Sequence, residues 1–363
     1  MKITIYKRCL LLLLAPLAFA VTKIMADFPE AVEHFYSRKV HYFLREVSGR
    51  LTGYLPFSLA EFVLVFGSMG LILYISHIIF LIAKRKVNWR RQVSLSSVNL
   101  FCFLAVIYAW FVFTCGLNYH RQTFAEYIGL DVQPTSVEEL SAMCEKLVLD
   151  MNDVRSQLQE NSEGICLSTF DSSYKMAEHA AASYTNIADE YALLGGYTPI
   201  PKLVLLSRVM SSVNITGFYF PYTMECNVNV DIPSFEIPAT MMHEISHFKG
   251  FMREQEANFI AYLTCLQSGD DFFRYSGIRL AAIHATNALY SADKAEYKRV
   301  MQLMTDAVRR DMRANSDYWR RFETPVAEVA TAMNDTYLRV NNQESGVKSY
   351  GEMVDLLLAY YRR

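Results

Sequence analysis

The chain has 363 residues, of which 52% are hydrophobic, a share that is high for a purely soluble domain and predicts a membrane portion. Its formal net charge is -2 and it has no basic stripe with interleaved aromatic residues, which excludes nucleic acid as a partner. The seven cysteines form no CxxC pair, which disfavours a thiolate metal site.

Three apolar segments predict membrane-spanning helices over about residues 9–26, 58–83 and 95–115. The second and third reach the ~20 residues that a helix needs to cross a bilayer core. The first follows a basic N-terminus, and Ala18-Phe19-Ala20 within it also resembles a signal-peptide cleavage site. We expect this segment to remain as an uncleaved span. Residues 1–115 are therefore predicted to form a membrane region.

A basic loop between the second and third spans predicts the topology. Residues 84–91 contain five basic side chains, and loops of this kind stay in the cytoplasm. With the loop 84–92 inside, the segment 27–57 and all residues from 116 onward lie outside. We therefore expect a multi-pass cell-membrane protein with the lipid bilayer as a partner. Whether the segment 27–57 caps the following domain or contacts lipid stays open.

Residues 116–363 are predicted to form one extracytoplasmic, α-rich domain with a small β-sheet. Ser136 and Glu139 make an S-x-x-E capping box that begins a helix reaching about Leu158. A second helix is expected from about Ser173 to Leu194, before Gly195. Further helical periodicity covers about residues 259–266, 271–290, 294–314, 318–340 and 350–361.

Extended structure is predicted at two places, from Lys202 to Met210 and from Gly217 to Ile232. In the second stretch apolar and polar residues alternate, which is typical of a half-buried strand. The apolar face carries Met224, Cys226, Val228, Val230 and Ile232, and the polar face carries Thr223, Glu225, Asn227, Asn229 and Asp231.

The sequence His243-Glu244-Ile245-Ser246-His247 is the pattern that most directly indicates chemistry. On a helix, His243 and His247 lie one turn apart on one face and can bind one metal ion, with Glu244 beside them. Zinc accepts neutral imidazoles and a carboxylate while leaving a position for water. Pro238 precedes the motif and Gly250 follows it, as expected for a short helix.

A third zinc ligand is expected on the next predicted helix. Glu254 and Asn258 stand four residues apart there, so that Glu254 can complete the ligand set and Asn258 can orient a ligating imidazole. Glu256 is the competing ligand, but it points about 200° away from Glu254 on the same helix. A charged first turn, which the helix dipole favours, also accounts for Glu256.

The segments HEISHFKG and REQEANFIAYL resemble the gluzincin pattern of metallopeptidases, HExxH followed by E-x-x-A-D/N. More widely, the chain resembles a family of bacterial multi-span membrane proteins whose domain has no assigned function. The resemblance rests on YLPFSLAEF (Tyr54 to Phe62), GLNYHRQTF (Gly116 to Phe124), FPYTMECNVN (Phe220 to Asn229) and SGVKSYGEMVDLLLAYY (Ser345 to Tyr361). It implies a zincin-like domain with His243, His247 and Glu254 as ligands and Glu244 as the catalytic residue. The short interval between His247 and Glu254 departs from better-understood gluzincins.

The hypothesis is a zinc metallopeptidase that hydrolyses a peptide or protein substrate, with Glu244 as general base for the attacking water. Tyr219, Tyr222 and His284 are candidate oxyanion-stabilising residues by residue type alone.

Glu225, Asn227 and Asn229 are candidates for a substrate-binding strand, although a solvated strand face explains them equally well. Two alternative functions stay open: a noncatalytic membrane receptor or assembly factor with structural zinc, and a cell-wall amidase.

Overall fold

The computed structural model describes residues 10–133, 135–340 and 353–363. Within these residues the fold is mostly helical with one three-stranded sheet, which confirms the predicted balance of elements. The predicted starts of the first span at Cys9 and of the last helix at Tyr350 lie outside the described residues.

The N-terminal region is a bent run of helices. Helix α1 comprises Leu14–Ala26 and is followed by α2 (Pro29–Ala31), a π-helix (Val32–His41) and α3 (Tyr42–Gly53). The stretches Leu10–Ala26 and Pro29–Gly53 meet at 108° and qualify as a membrane span only if they are taken together. The described part of the predicted first span is shorter than the ~20 residues required for a straight crossing.

Two helices are long and apolar enough to cross a membrane, α4 (Leu59–Ala83) and α5 (Trp89–Thr114). Helix α4 begins where predicted, because the Ser58 side chain caps it by accepting from the Glu61 amide. Helix α5 begins earlier than predicted, because Asn88 caps it in the same way through the Arg91 amide. The loop between the two helices is correspondingly shorter than residues 84–92.

The rest of the chain adds eleven α-helices and three short 3-10 helices among the described residues. The Ser136 capping box is present as predicted. The predicted helix over 294–314 divides, because Thr305 caps a new helix, and the one over 318–340 is interrupted before Pro325. The eleven helices are α6 (Phe124–Ile128), α7 (Val137–Ser156), α8 (Ser173–Glu190), α9 (Ser207–Ser212), α10 (Ile237–Phe248), α11 (Glu254–Leu266), α12 (Asp271–Ala292), α13 (Lys294–Gln302), α14 (Asp306–Arg320), α15 (Pro325–Val340) and α16 (Met353–Tyr361).

The sheet consists of β1 (Lys202–Leu203), β2 (Gly217–Phe220) and β3 (Glu225–Val228), in the order β1-β3-β2. Strand β3 pairs parallel with β1 and antiparallel with β2. The stretch predicted as extended from Gly217 to Ile232 therefore holds two short strands that pair with each other. The chain turns between β2 and β3, with Met224 at φ 53. The predicted strand from Lys202 to Met210 is mostly wrong, since α9 follows β1 almost directly.

The polar side chains of β3 do not line a cleft, so their assignment as a substrate strand is wrong. β3 is the central strand, and its Glu225 and Asn227 are 1% and 0% exposed; Asn229, just after the strand, is also 0% exposed. The Glu225 carboxylate accepts from the amides of Leu59 and Ala60 at 3.1 and 2.8 Å, in the first turn of α4. The polar face of β3 thus attaches the apolar helix α4 to the sheet, and satisfies helix amides that otherwise lack a partner.

The segment 27–57 also packs on the domain. Glu33 of the π-helix is 1% exposed and forms a buried ion pair with Arg121 at 2.8 Å. Arg45 of α3 donates to the Lys249 carbonyl, just after α10, at 2.9 Å. This segment therefore covers the end of α10. The core beneath is formed by α7, α10, α11 and α12, with large side chains such as Phe248 fully buried.

We predict that Arg121→Ala destabilises the fold by about 3 kcal/mol, since it removes the buried partner of Glu33 and leaves that carboxylate only the partly exposed Arg38. The matched control is Arg38→Ala, because Arg38 also binds Glu33 at 2.8 Å but is 38% exposed. An exposed partner contributes about 0–1 kcal/mol. Thermal unfolding in detergent measures the difference, and equal losses for both variants would contradict the prediction.

Candidate metal centre

Helix α10 places the two histidines of the motif on one face. Pro238 lies in its first turn, where a missing amide hydrogen costs nothing. The rings of His243 and His247 stand one turn apart, with centroids separated by 4.5 Å. Both side chains are largely buried, at 14% and 10% exposure. The helix therefore presents two imidazoles at the bottom of a recess.

A tight turn at Gly250 brings the next helix back onto α10. Gly250 has φ 95, and a Cβ added there would lie 3.0 Å from Arg121 Nη1 and 3.2 Å from the His41 ring. Only glycine combines this backbone conformation with so little space. The Phe251 amide then donates to the Ser246 carbonyl at 3.1 Å. Because the turn is this short, α11 starts beside the histidines.

Glu254 closes the cluster from the first turn of α11. Its Oε2 lies 3.2 Å from His243 Nε2, and its Oε1 lies 3.6 Å from His247 Nε2. One ligand atom from each of the three residues lies within 4.8 Å of the others. Two imidazole nitrogens and a carboxylate at this spacing form a donor set that suits zinc.

The second nitrogen of each imidazole is held by an acceptor. His243 Nδ1 lies 2.8 Å from Asn258 Oδ1, and His247 Nδ1 lies 2.8 Å from the Phe251 carbonyl. Both partners can only accept, so each Nδ1 carries the proton and each Nε2 keeps its lone pair in the neutral ring. Both lone pairs are directed toward the Glu254 carboxylate. The residues present therefore fit a bound metal ion.

Glu256, the competing third ligand, points elsewhere. Its carboxylate accepts from the Phe124 amide at 2.7 Å and pairs with Arg253 at 3.3 Å. Glu256 is 3% exposed, and its hydrogen bond holds the start of α6 against α11. Of the two carboxylates, the structure brings only Glu254 to the histidines.

Burial and the shared carboxylate shift the pKa values of the cluster in opposite directions. Burial alone lowers the pKa of His243, but the hydrogen bond and charge of Glu254 raise it to about 9. Burial lowers the pKa of His247 to about 4 in spite of Glu254. Burial also opposes the ionised form of Glu254, yet the charges of the histidines lower its pKa. The buried carboxylate of Glu254 thus keeps a positive charge beside it. When no metal is bound, that charge is the protonated imidazole of His243.

Glu244 lies beside the cluster under β2. Burial, with the nearby charge of Glu254, raises the pKa of Glu244 to about 8. Its Oε2 is buried without a hydrogen-bond partner. Gly217 makes room for this carboxyl, because a Cβ there would lie 2.5 Å from Glu244 Oε1. The sequence patterns did not indicate Gly217 as a site residue. A glycine at the start of a strand often marks a place where another group approaches the backbone closely, and this could have pointed to it.

The cluster opens onto a cleft of about 640 Å³. Of the candidate accessory residues, Tyr219 and His284 line this cleft, whereas Tyr222 does not and packs on Phe220 instead. The Tyr219 hydroxyl is buried without a partner. Other lining residues, which the sequence did not indicate, include Cys115, Tyr119, Phe218, Arg279, Asn334 and Tyr337.

We predict that the purified chain binds about one zinc ion and that His243→Ala, His247→Ala or Glu254→Ala each abolish this binding. Loss of one of three ligands leaves two donors, which hold zinc poorly. Asn258→Ala should weaken binding about 10–100-fold, because it orients His243 without touching the metal. Elemental analysis after dialysis provides the readout.

The matched control for these variants is His284→Ala, a histidine of the same cleft outside the cluster. It should keep its zinc. Metal loss on replacing His284, or full retention in the three ligand variants, would contradict the assignment.

Zinc affinity should rise with pH between 7 and about 9. With a pKa of about 9, His243 is protonated at pH 7, and zinc must displace that proton, whereas His247, with a pKa of about 4, is already neutral. We expect close to a tenfold gain per pH unit, which levels off above about 9. Competition with a chelator of known pH dependence measures it. The Glu244→Gln chain isolates the His243 proton, and a flat profile there would refute the prediction.

The comparisons with known proteins bear on the whole chain. A family model described as a protein of unknown function (DUF3810) matches residues 36–358, which include α4, α5 and the entire metal cluster. No curated protein matches the chain. No solved structure matches it either. The chain therefore belongs to the DUF3810 family of proteins of unknown function.

Proposed function

We propose that this protein is a membrane-anchored, zinc-dependent metallopeptidase with a zincin-like catalytic domain. The observation that carries the proposal is the position of the His243, His247 and Glu254 donor atoms, within 4.8 Å of one another and open to a cleft of about 640 Å³. A purely structural zinc site is closed by four protein ligands, whereas a catalytic site has three and keeps an open position. The noncatalytic alternative is therefore less well supported.

His243, His247 and Glu254 would hold the ion, with Asn258 and the Phe251 carbonyl fixing the imidazoles. A bound zinc ion supplies a Lewis acid that polarises a carbonyl and lowers the pKa of water to about 7. Glu244 accepts the proton of the attacking water on its free Oε2 and delivers it to the leaving amine. The buried surroundings make this carboxylate a stronger base than an exposed one.

Strand β2 is the surface that we assign to the substrate backbone. One side of β2 pairs with β3, while Gly217, Phe218 and Tyr219 line the cleft. An edge strand offers unpaired amides and carbonyls to an extended peptide, which then adds as a further strand. Tyr219 lines the cleft and is the candidate hydrogen-bond donor to the oxyanion on this strand.

We place the catalytic domain outside the cytoplasm. The support is the basic segment between α4 and α5, which favours a cytoplasmic position, while the domain is attached to the opposite ends of these two helices. Peptides, unfolded segments and ectodomains of membrane proteins are the substrates within reach of such a site.

The test is hydrolysis by the zinc-loaded full chain in detergent or nanodiscs. We expect cleavage of members of an unbiased peptide library. Glu244→Gln should lower turnover about 10²–10⁴-fold while it leaves the zinc content unchanged, because it removes the base but no ligand. Retained turnover in Glu244→Gln would refute the role of Glu244. Cell-wall fragments tested in parallel identify the amidase alternative, and no hydrolysis of either class would favour the noncatalytic one.

A further inference from the structure

Exposed apolar side chains cluster beside the ends of α4 and α5 that attach to the domain. The first group lies at the start of α9 and comprises Leu205, Leu206 and Val209, which are 77%, 46% and 56% exposed. Solvated surfaces of soluble proteins rarely carry adjacent leucines with such exposure without a partner. The group therefore requires an apolar environment.

Glu61 fixes the level of this first group along α4. Its carboxylate accepts from the Leu205 amide at 3.0 Å and from the Leu206 amide at 2.8 Å. Glu61 stands in the first turn of α4 and is 7% exposed, whereas Phe62 after it is 38% exposed and begins the apolar surface of the span. The two leucines thus lie where α4 changes from protein-packed to membrane-facing.

The second group forms a stripe on α15. Val326, Val329 and Met333 are 62%, 60% and 69% exposed, and their spacing puts them on one side of the helix. Glu328 and Asp335 occupy the opposite side by the same spacing. An apolar stripe with acidic residues opposite is typical of a helix that lies in a membrane surface.

Contacts at both ends of α15 show which way it runs. Just before it, Phe322 lies under the guanidinium of Arg208 of α9, with 4.6 Å to the ring centroid. Near its end, the Tyr337 ring meets Phe111 of α5 edge to face at 6.2 Å. Helix α15 therefore extends from the first apolar group to the end of α5. Its side chains Ala330, Thr331 and Asn334 line the cleft.

We propose that Leu205, Leu206, Val209, Val326, Val329 and Met333 form a docking face that inserts into the surface of the lipid bilayer crossed by α4 and α5. The occupant is lipid because the first group is bound to the start of α4 through Glu61, and α15 reaches the end of α5 through Tyr337 and Phe111. No member of the docking face is charged. With this face in lipid, α15 lies between the bilayer and the cleft and holds the cleft at the membrane surface.

Site-directed spin labelling of the full chain in nanodiscs tests the docking face. Leu206→Cys and Val329→Cys are labelled separately, and collision with oxygen, which concentrates in lipid, is compared with collision with a water-soluble nickel chelate. The matched control is Leu149→Cys on α7, because Leu149 is 48% exposed, close to the 46% of Leu206. The described native cysteines are buried, and labelling the unsubstituted chain in parallel gives the background.

We expect the oxygen-to-nickel collision ratio at both docking-face positions to exceed that at Leu149 severalfold. Ratios equal to that of Leu149 would mean that the face is in water and would overturn the proposal. Shielding from both reagents, with spin–spin broadening, would mean that a second copy covers the face and would overturn it equally. The measurement requires neither zinc nor hydrolysis, so its outcome is separate from that of the proposed function.

Discussion

The turn at Gly250 is the constraint on which the candidate site depends. Because its backbone adopts φ 95 with no room for a side chain, α11 returns at once onto α10. That return brings Glu254 to the two imidazoles and the Phe251 carbonyl to His247. Arg121 and His41 pack against the same glycine, so the segment that leads to the apolar helices α4 and α5 lies directly behind the turn.

The long apolar helices and the domain that follows them form one packed unit. Buried polar groups need hydrogen-bond or ion-pair partners, and here residues of the N-terminal helices and of the following domain supply them to each other. Glu225 of the central strand satisfies the first amides of α4, and Glu33 of the π-helix pairs with Arg121. The match of one family model to residues 36–358 is consistent with this continuity. A division at residue 115 describes the chain by hydropathy but separates elements that pack together.

The packing of the apolar helices on the domain also determines where the cleft lies. Cys115, which ends α5, lines the cleft together with β2 and α15. The cleft therefore lies directly at the end of the apolar helix α5. The pKa values also favour a cation at this site. The lowered pKa of the buried Glu254 keeps its carboxylate charged beside the two imidazoles, whereas the raised pKa of Glu244 keeps Glu244 neutral when no metal ion is bound.

Local patterns in the sequence determined the helices, the two long apolar spans and the helical motif His243–His247, because periodicity, caps and ligand spacing act within a few residues. They also favoured Glu254 over Glu256 as the third ligand, because residues two positions apart point to opposite sides of a helix. Only the tertiary structure decided that the polar face of Glu225 and Asn227 is buried: alternation shows that a strand has two faces, but not what covers them. The same holds for Gly217 and α15, whose roles come from contacts between residues far apart in the chain.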